Sequence, residues 1–121
     1  MRDRVVVDLA EKLGRIDEYW SPKIVAQVAE VQVKLARIQG TFDWHSHANE
    51  DELFLVLEGR MKLEFRDREV WLEQGQLFVV PRGVEHRPVA PHEARIMLIE
   101  PEGTRNTGDR ETERYVEAEW L

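Results

Sequence analysis

His45 and His47 stand two apart within Gly40-Thr41-Phe42-Asp43-Trp44-His45-Ser46-His47, a stretch that reads as extended. Side chains alternate across a strand, so i and i+2 share a face with Cα atoms roughly 6.6 Å apart. Two imidazoles so placed can converge on one metal ion at about 2.1 Å from each nitrogen. Glu52 follows five residues later, where the chain can turn into Glu52-Leu53-Phe54-Leu55-Val56-Leu57. A third histidine, His86, lies in a second stretch punctuated by Gly75, Pro81 and Gly83. If the four side chains meet, three imidazoles and a carboxylate suit Fe, Mn, Ni, Co, Cu or Zn and suit Ca or Mg poorly.

The elements that must position them read as many short strands. Residues 8–19 predict a short helix, with Leu9, Leu13 and Ile16 on one face and Asp8 as N-cap. Ser21-Pro22 ends it. From about residue 24 the period becomes two: Val31, Val33 and Leu35 alternate with Gln32, Lys34 and Ala36. Further strands are expected at 42–46, 52–57, 61–65, 70–72, 76–80, 86–89 and 94–99, bounded by Gly59, Arg66-Asp67, Gly75, Pro81-Arg82-Gly83 and Pro91. Such spacing indicates a sandwich or barrel, not a βαβ fold. The strand 52–57 is apolar on both faces. Phe54 and Val56 share the Glu52 side, while Leu53, Leu55 and Leu57 need cover from the N-terminal segment or a second subunit. A homodimer is expected. Residues 101–121 turn polar and read as a loop leading to a short element, with Tyr115, Val116 and Trp120 docking on the body or on a partner.

Composition bounds the rest. The 121 residues suffice for one domain with its own core, taken as a barrel core of about 24–100 between an N-terminal segment 1–23 and an extension 101–121. No cysteine is present, which removes disulfides and thiolate zinc sites and fits a cytoplasmic protein. Met1-Arg2-Asp3-Arg4 and the three valines after it do not form a signal-peptide core. No apolar run approaches a membrane span. Seventeen Lys/Arg against twenty-four Asp/Glu give a net charge of −7 without a basic cluster, so neither nucleic acid nor a membrane is expected as a partner.

Written out, the two stretches are G-x4-H-x-H-x4-E-x6-G (Gly40, His45, His47, Glu52, Gly59) and G-x5-P-x-G-x2-H (Gly75, Pro81, Gly83, His86). The pair resembles the two motifs of the cupin superfamily. It departs from them in having one residue fewer before the first histidine and Ala90 where the second motif ends in Asn. The resemblance implies an all-β jelly-roll barrel, or double-stranded β-helix, with a short N-terminal helical segment. It also makes His45, His47, Glu52 and His86 the ligands of a divalent transition metal. Gly59 and Pro81-x-Gly83 would then fix the turns that aim the ligands.

One fold hosts many chemistries. The first expectation is a small metal-dependent enzyme performing dioxygenase-type oxidation of an enol- or diketone-like substrate, with Glu52 as ligand and proton acceptor. A second is an isomerase or lyase using the metal as Lewis acid, which needs a separate general base. No lysine is assigned to an inward position, and Tyr19 and Tyr115 fall outside the barrel strands. The third is a module that binds a small carboxylate or sugar without turnover. Among other residues, Phe54 and Val56 are expected to line the cavity, and Trp44 and Trp71 to pack. Glu85 and Arg87 should face away from His86, and His92 should lie in a loop. Asp43 is open between a pocket group and a solvated turn.

Overall fold

A computed structural model describes residues 4–121; the start of the segment judged against a signal peptide, residues 1–3, lies outside them. Asp8 caps a helix, α1 (Leu9–Leu13), by accepting the Glu11 backbone N–H at 3.2 Å. The helix is five residues long, not the twelve of the predicted 8–19. Gly14 ends it, and Ile16 reaches the core through the turn that follows. Glycine's low helix propensity is the physical reason.

Eight strands follow: β1 (Lys23–Val28), β2 (Val31–Thr41), β3 (Glu52–Glu58), β4 (Met61–Phe65), β5 (Glu69–Leu72), β6 (Leu77–Val80), β7 (His86–Pro101) and β8 (Glu119–Trp120). They form one bent sheet in the order β5-β4-β7-β2-β1-β8, with β3 between β7 and β6. β7 organises the barrel. Its first residues pair with β4 (Phe65↔His86 to Lys62↔Val89), and its last with β3 (Glu58↔Arg95 to Leu53↔Ile99). The whole of it runs antiparallel to β2, with a register shift where Pro91, His92 and Glu93 stand opposite Gln39. The two strands expected at 86–89 and 94–99 are therefore one bent strand. Pro91 marks its corner, as proline does at bulges. His92 lies in that corner, exposed. The mostly-β, jelly-roll expectation holds.

Residues 42–46 depart from the expected strand. β2 ends at Thr41, and of this stretch only His45 bridges to another strand segment, opposite His86. Paired backbone bonds, His45 N–H to His86 C=O at 3.0 Å and the reverse at 2.9 Å, bring the two motifs together. The Pro81–Gly83 turn is tied in by Gly83 N–H donating to His47 C=O at 2.7 Å, with Gly83 at φ +78.

Two clusters fill the fold. Inside are Ala36, Ile38, Phe54, Val56, Met61, Leu63, Leu72, Val80, Ala90, Ala94, Ile96 and Leu98. Outside, Leu13 and Ile16 of the N-terminal segment pack on Val25 and Leu35, with Leu57 and Met97 alongside. Trp44 and Trp71 do not pack inside. Their rings lie at the surface under the guanidinium groups of Arg66 at 3.8 Å and Arg60 at 4.0 Å.

Candidate metal centre

The fold brings all four expected side chains together. One ligand atom from each of His45, His47, Glu52 and His86 lies within 4.8 Å of the others. All four are buried, His86 completely. Glu52 Oε1 is 3.3 Å from His47 Nε2 and 3.4 Å from His86 Nε2. His45 and His86 each place Nδ1 at 2.9 Å from a backbone carbonyl two residues earlier, Asp43 and Val84. That carbonyl takes the Nδ1–H and leaves Nε2 as the free donor, the arrangement metal-ligating histidines use. His47 Nδ1 and Nε2, His86 Nε2 and Glu52 Oε1 are buried with no hydrogen-bond partner. Buried polar atoms are normally satisfied, so this set fits a cation that the protein atoms do not replace.

The electrostatics agree. Burial, reinforced by the charge of His86, pushes His45 down to about 4, so it is neutral and ready to ligate. Burial also disfavours charge on His47, but the carboxylate of Glu52 at 3.3 Å, with Glu50 nearby, raises it overall. Glu52 is held well below the ordinary carboxylate range: burial opposes its charge, and the close approach of His47 and His86, with Glu100 beside them, outweighs that. Glu100 moves the other way, driven up by its burial and by the charge of Glu52. Of the two carboxyls, Glu100 is the one that holds a proton more readily.

The sequence reading missed two buried charged residues beside the centre, Glu100 and Lys34. Gln32, Lys34, Ala36 and Ile38 face inward and Val33 faces out, so Lys34, where no lysine was assigned inward, lies in the barrel at 2% exposure. Lys34 Nζ donates to Glu100 Oε2 at 2.7 Å and to Thr104 C=O at 3.2 Å. The signal available was parity: Ala94, Ile96, Leu98 and Glu100 alternate along one face, and so do Lys34, Ala36 and Ile38.

These residues surround a cavity of about 40 Å³, lined by Lys34, His45, Glu52 and Glu100 at its polar end and by Ile38, Phe54, Ile96 and Leu98 among its apolar walls. That holds roughly three water-sized positions. Val56 is core rather than lining. Trp20, stacked on Phe42 at 4.9 Å, closes one side. Asp43 is not a pocket group. It accepts from Thr112 Oγ1 at 3.0 Å.

Residues 101–118 close the mouth. Asp109 N–H donates to Ser46 C=O at 2.9 Å, Arg110 to Trp44 C=O at 2.9 Å and Arg114 to Thr41 C=O at 2.8 Å, while Val116 and Ala118 line the cavity. Gly108 permits this approach: at φ +65, a Cβ there would overlap the Ser46 carbonyl and press on His45. The extension thus docks on the body, ending with β8 parallel to β1. Glu85 and Arg87 point away from the centre, paired with Arg66 and Glu64.

Residues 33–100 match the family described as the cupin domain. An uncharacterized protein of Bacillus subtilis (strain 168), YdbB, is 39% identical over 64 residues, covering 52% of this chain and 57% of that one. The match thus spans little more than half the length of that relative. A crystallised cupin-2 domain protein of Shewanella frigidimarina is 41% identical with a TM-score of 0.79, covering 80% of this chain and 95% of that one. Hydroquinone 1,2-dioxygenase PnpCD, solved with Cd2+ and 4-hydroxybenzonitrile, is 18% identical with a TM-score of 0.68, covering 76% and 70%; at that identity it speaks for the fold alone. Among the described residues no helix is long and apolar enough to cross a membrane.

Proposed function

This chain belongs to the cupin family, and on that footing we propose that it is a small metal-dependent enzyme of dioxygenase type. His45, His47, Glu52 and His86 hold a divalent transition ion. The observation that carries this reading is the convergence of four donors whose buried nitrogen and oxygen atoms lack protein partners. When bound, such an ion supplies Lewis acidity and, if redox-active, the electrons for dioxygen chemistry.

The chain's own residues set the conditions. Ile38, Phe54, Ile96 and Leu98 exclude water around a small substrate. The Asp43 and Val84 carbonyls fix two imidazoles. Glu52 is a ligand and a proton acceptor, and its contact with Glu100 gives the proton a place to reside. Oxygen uptake by iron-loaded protein with diketones, small keto acids or catechol-like compounds tests this reading. Uptake that depends on His86 supports it; none across the panel speaks against it.

Glu100 also favours a second reading, Lewis-acid isomerase or lyase chemistry, because it supplies the base which that chemistry needs. Turnover without oxygen would select it. The chain acts as one domain and as a homodimer. Leu53, Leu55 and Ile99 are half-buried and Leu77 and Val79 are 56% and 45% exposed on neighbouring strands, an apolar face that a second copy would cover.

A further inference from the structure

We propose that Lys34 is the anion-positioning residue of this cavity and that the substrate is a small monocarboxylate. The inference rests on the metal-centre reading and adds the substrate class to it. Lys34 is a charged group at 2% exposure in a chamber whose walls are otherwise largely apolar. An ammonium has three hydrogens. Glu100 Oε2 and the Thr104 carbonyl take two, which leaves one for a ligand. Glu100 Oε1, beside it in the cavity lining, is buried with no partner. The site therefore offers one donor and one oxygen atom that the protein does not satisfy.

Charge points the same way. A divalent ion and Lys34 bring three positive charges, and Glu52 and Glu100 at most two negative ones. Whether or not Glu100 keeps its proton, the loaded cavity is net positive. An uncompensated charge in an apolar enclosure is costly, and a single carboxylate lowers that cost. The free space of about 40 Å³ sets the size at a few heavy atoms in this conformation. A buried ion pair is weak evidence of stabilisation, since apolar residues of the same shape would serve as well. Glu100, the partner of Lys34, in turn contacts the ligand Glu52.

The test uses zinc-loaded full-length protein, with acetate and its neutral isostere acetamide as probes. Metal per chain is measured first, then both affinities by calorimetry, with the Lys34 side-chain resonances followed by NMR. The comparison variant is Lys34→Met/Glu100→Gln, which removes the pair together and leaves no buried charge unmatched. Acetate should bind the parent at least roughly tenfold more tightly than acetamide and shift the Lys34 resonances. The double variant should keep its zinc and lose most of that preference. Equal binding of the two probes by zinc-loaded parent would overturn the inference alone, as would a double variant that keeps the preference. A parent that takes up no zinc would overturn the metal reading and this inference with it.

Discussion

Strand β3 shows two faces that are both apolar in sequence and differ in what they do. Its inner side carries Glu52, Phe54 and Val56, all buried, and grades from a charged end to a closed hydrophobic floor. Its outer side carries Leu53, Leu55 and Leu57, all half-buried, with no polar group among them. The inner face is completed within one chain, by Lys34 on β2, Leu98 and Glu100 on β7 and residues 101–118 over the mouth. The outer face is completed only at one end, where Leu13 and Ile16 cover Leu35 beside Leu57. At the other end Leu77 and Val79 stay exposed. An apolar strand face thus says that something covers it, and only the neighbours say whether that is core, site or partner.

The inner face is the one with the larger electrostatic liability. The unfolded chain takes up the His45 proton near 6.5, the folded one only near 4, so between those values the unfolded state binds more protons. In metal-free protein His45 alone removes roughly 3 kcal/mol as pH falls through that window. His47, raised when folded, contributes stability below 6.5 that is lost as pH rises through its folded value, so it does not offset this loss. Glu100, raised when folded, works in the opposite direction, so urea melts of Glu100→Gln from pH 6.5 to 4 measure the His45 effect without it. A flat profile would mean that His45 is not buried neutral.

On the outer face, Leu55→Asp places a charge in the half-buried patch and should weaken the dimer by about 2 kcal/mol, roughly 30-fold. Light scattering against concentration reads it, and an unchanged mass would show that no second copy sits there. Gly108→Ala acts on the inner face from outside, forcing a Cβ against Ser46 in a left-handed conformation. It should cost about 1–2 kcal/mol and loosen the closing segment, seen as faster amide exchange over 104–116 with the barrel strands unaffected. Uniform protection would contradict the docking described.

The same comparison explains what was legible in the sequence. His45, His47, Glu52 and His86 could be read because their spacing carries a motif, and the turns holding them are marked by Gly and Pro. The strand set was legible from period-two runs, apart from Phe42–Ser46, which forms no strand and has its β-bridge at His45, and the long β7, which Pro91 made look like two. Lys34 and Glu100 were not legible. On β2 and β7 both faces are largely apolar, because the N-terminal segment covers the outside as the barrel covers the inside. Hydrophobicity therefore does not say which parity faces in. The closing role of residues 101–118 depends on hydrogen bonds to backbone carbonyls, which no side-chain pattern announces.

The central claim is that the inner face holds a metal ion on four named side chains. Metal content of tag-free parent and His86→Ala, by mass spectrometry alongside circular dichroism, tests it most directly. The account predicts near-stoichiometric transition metal in the parent and an affinity lower by roughly 100-fold or more in the variant, with the β spectrum retained by the apolar core. A parent that binds no metal after reconstitution, or a variant that binds it equally, would contradict the account.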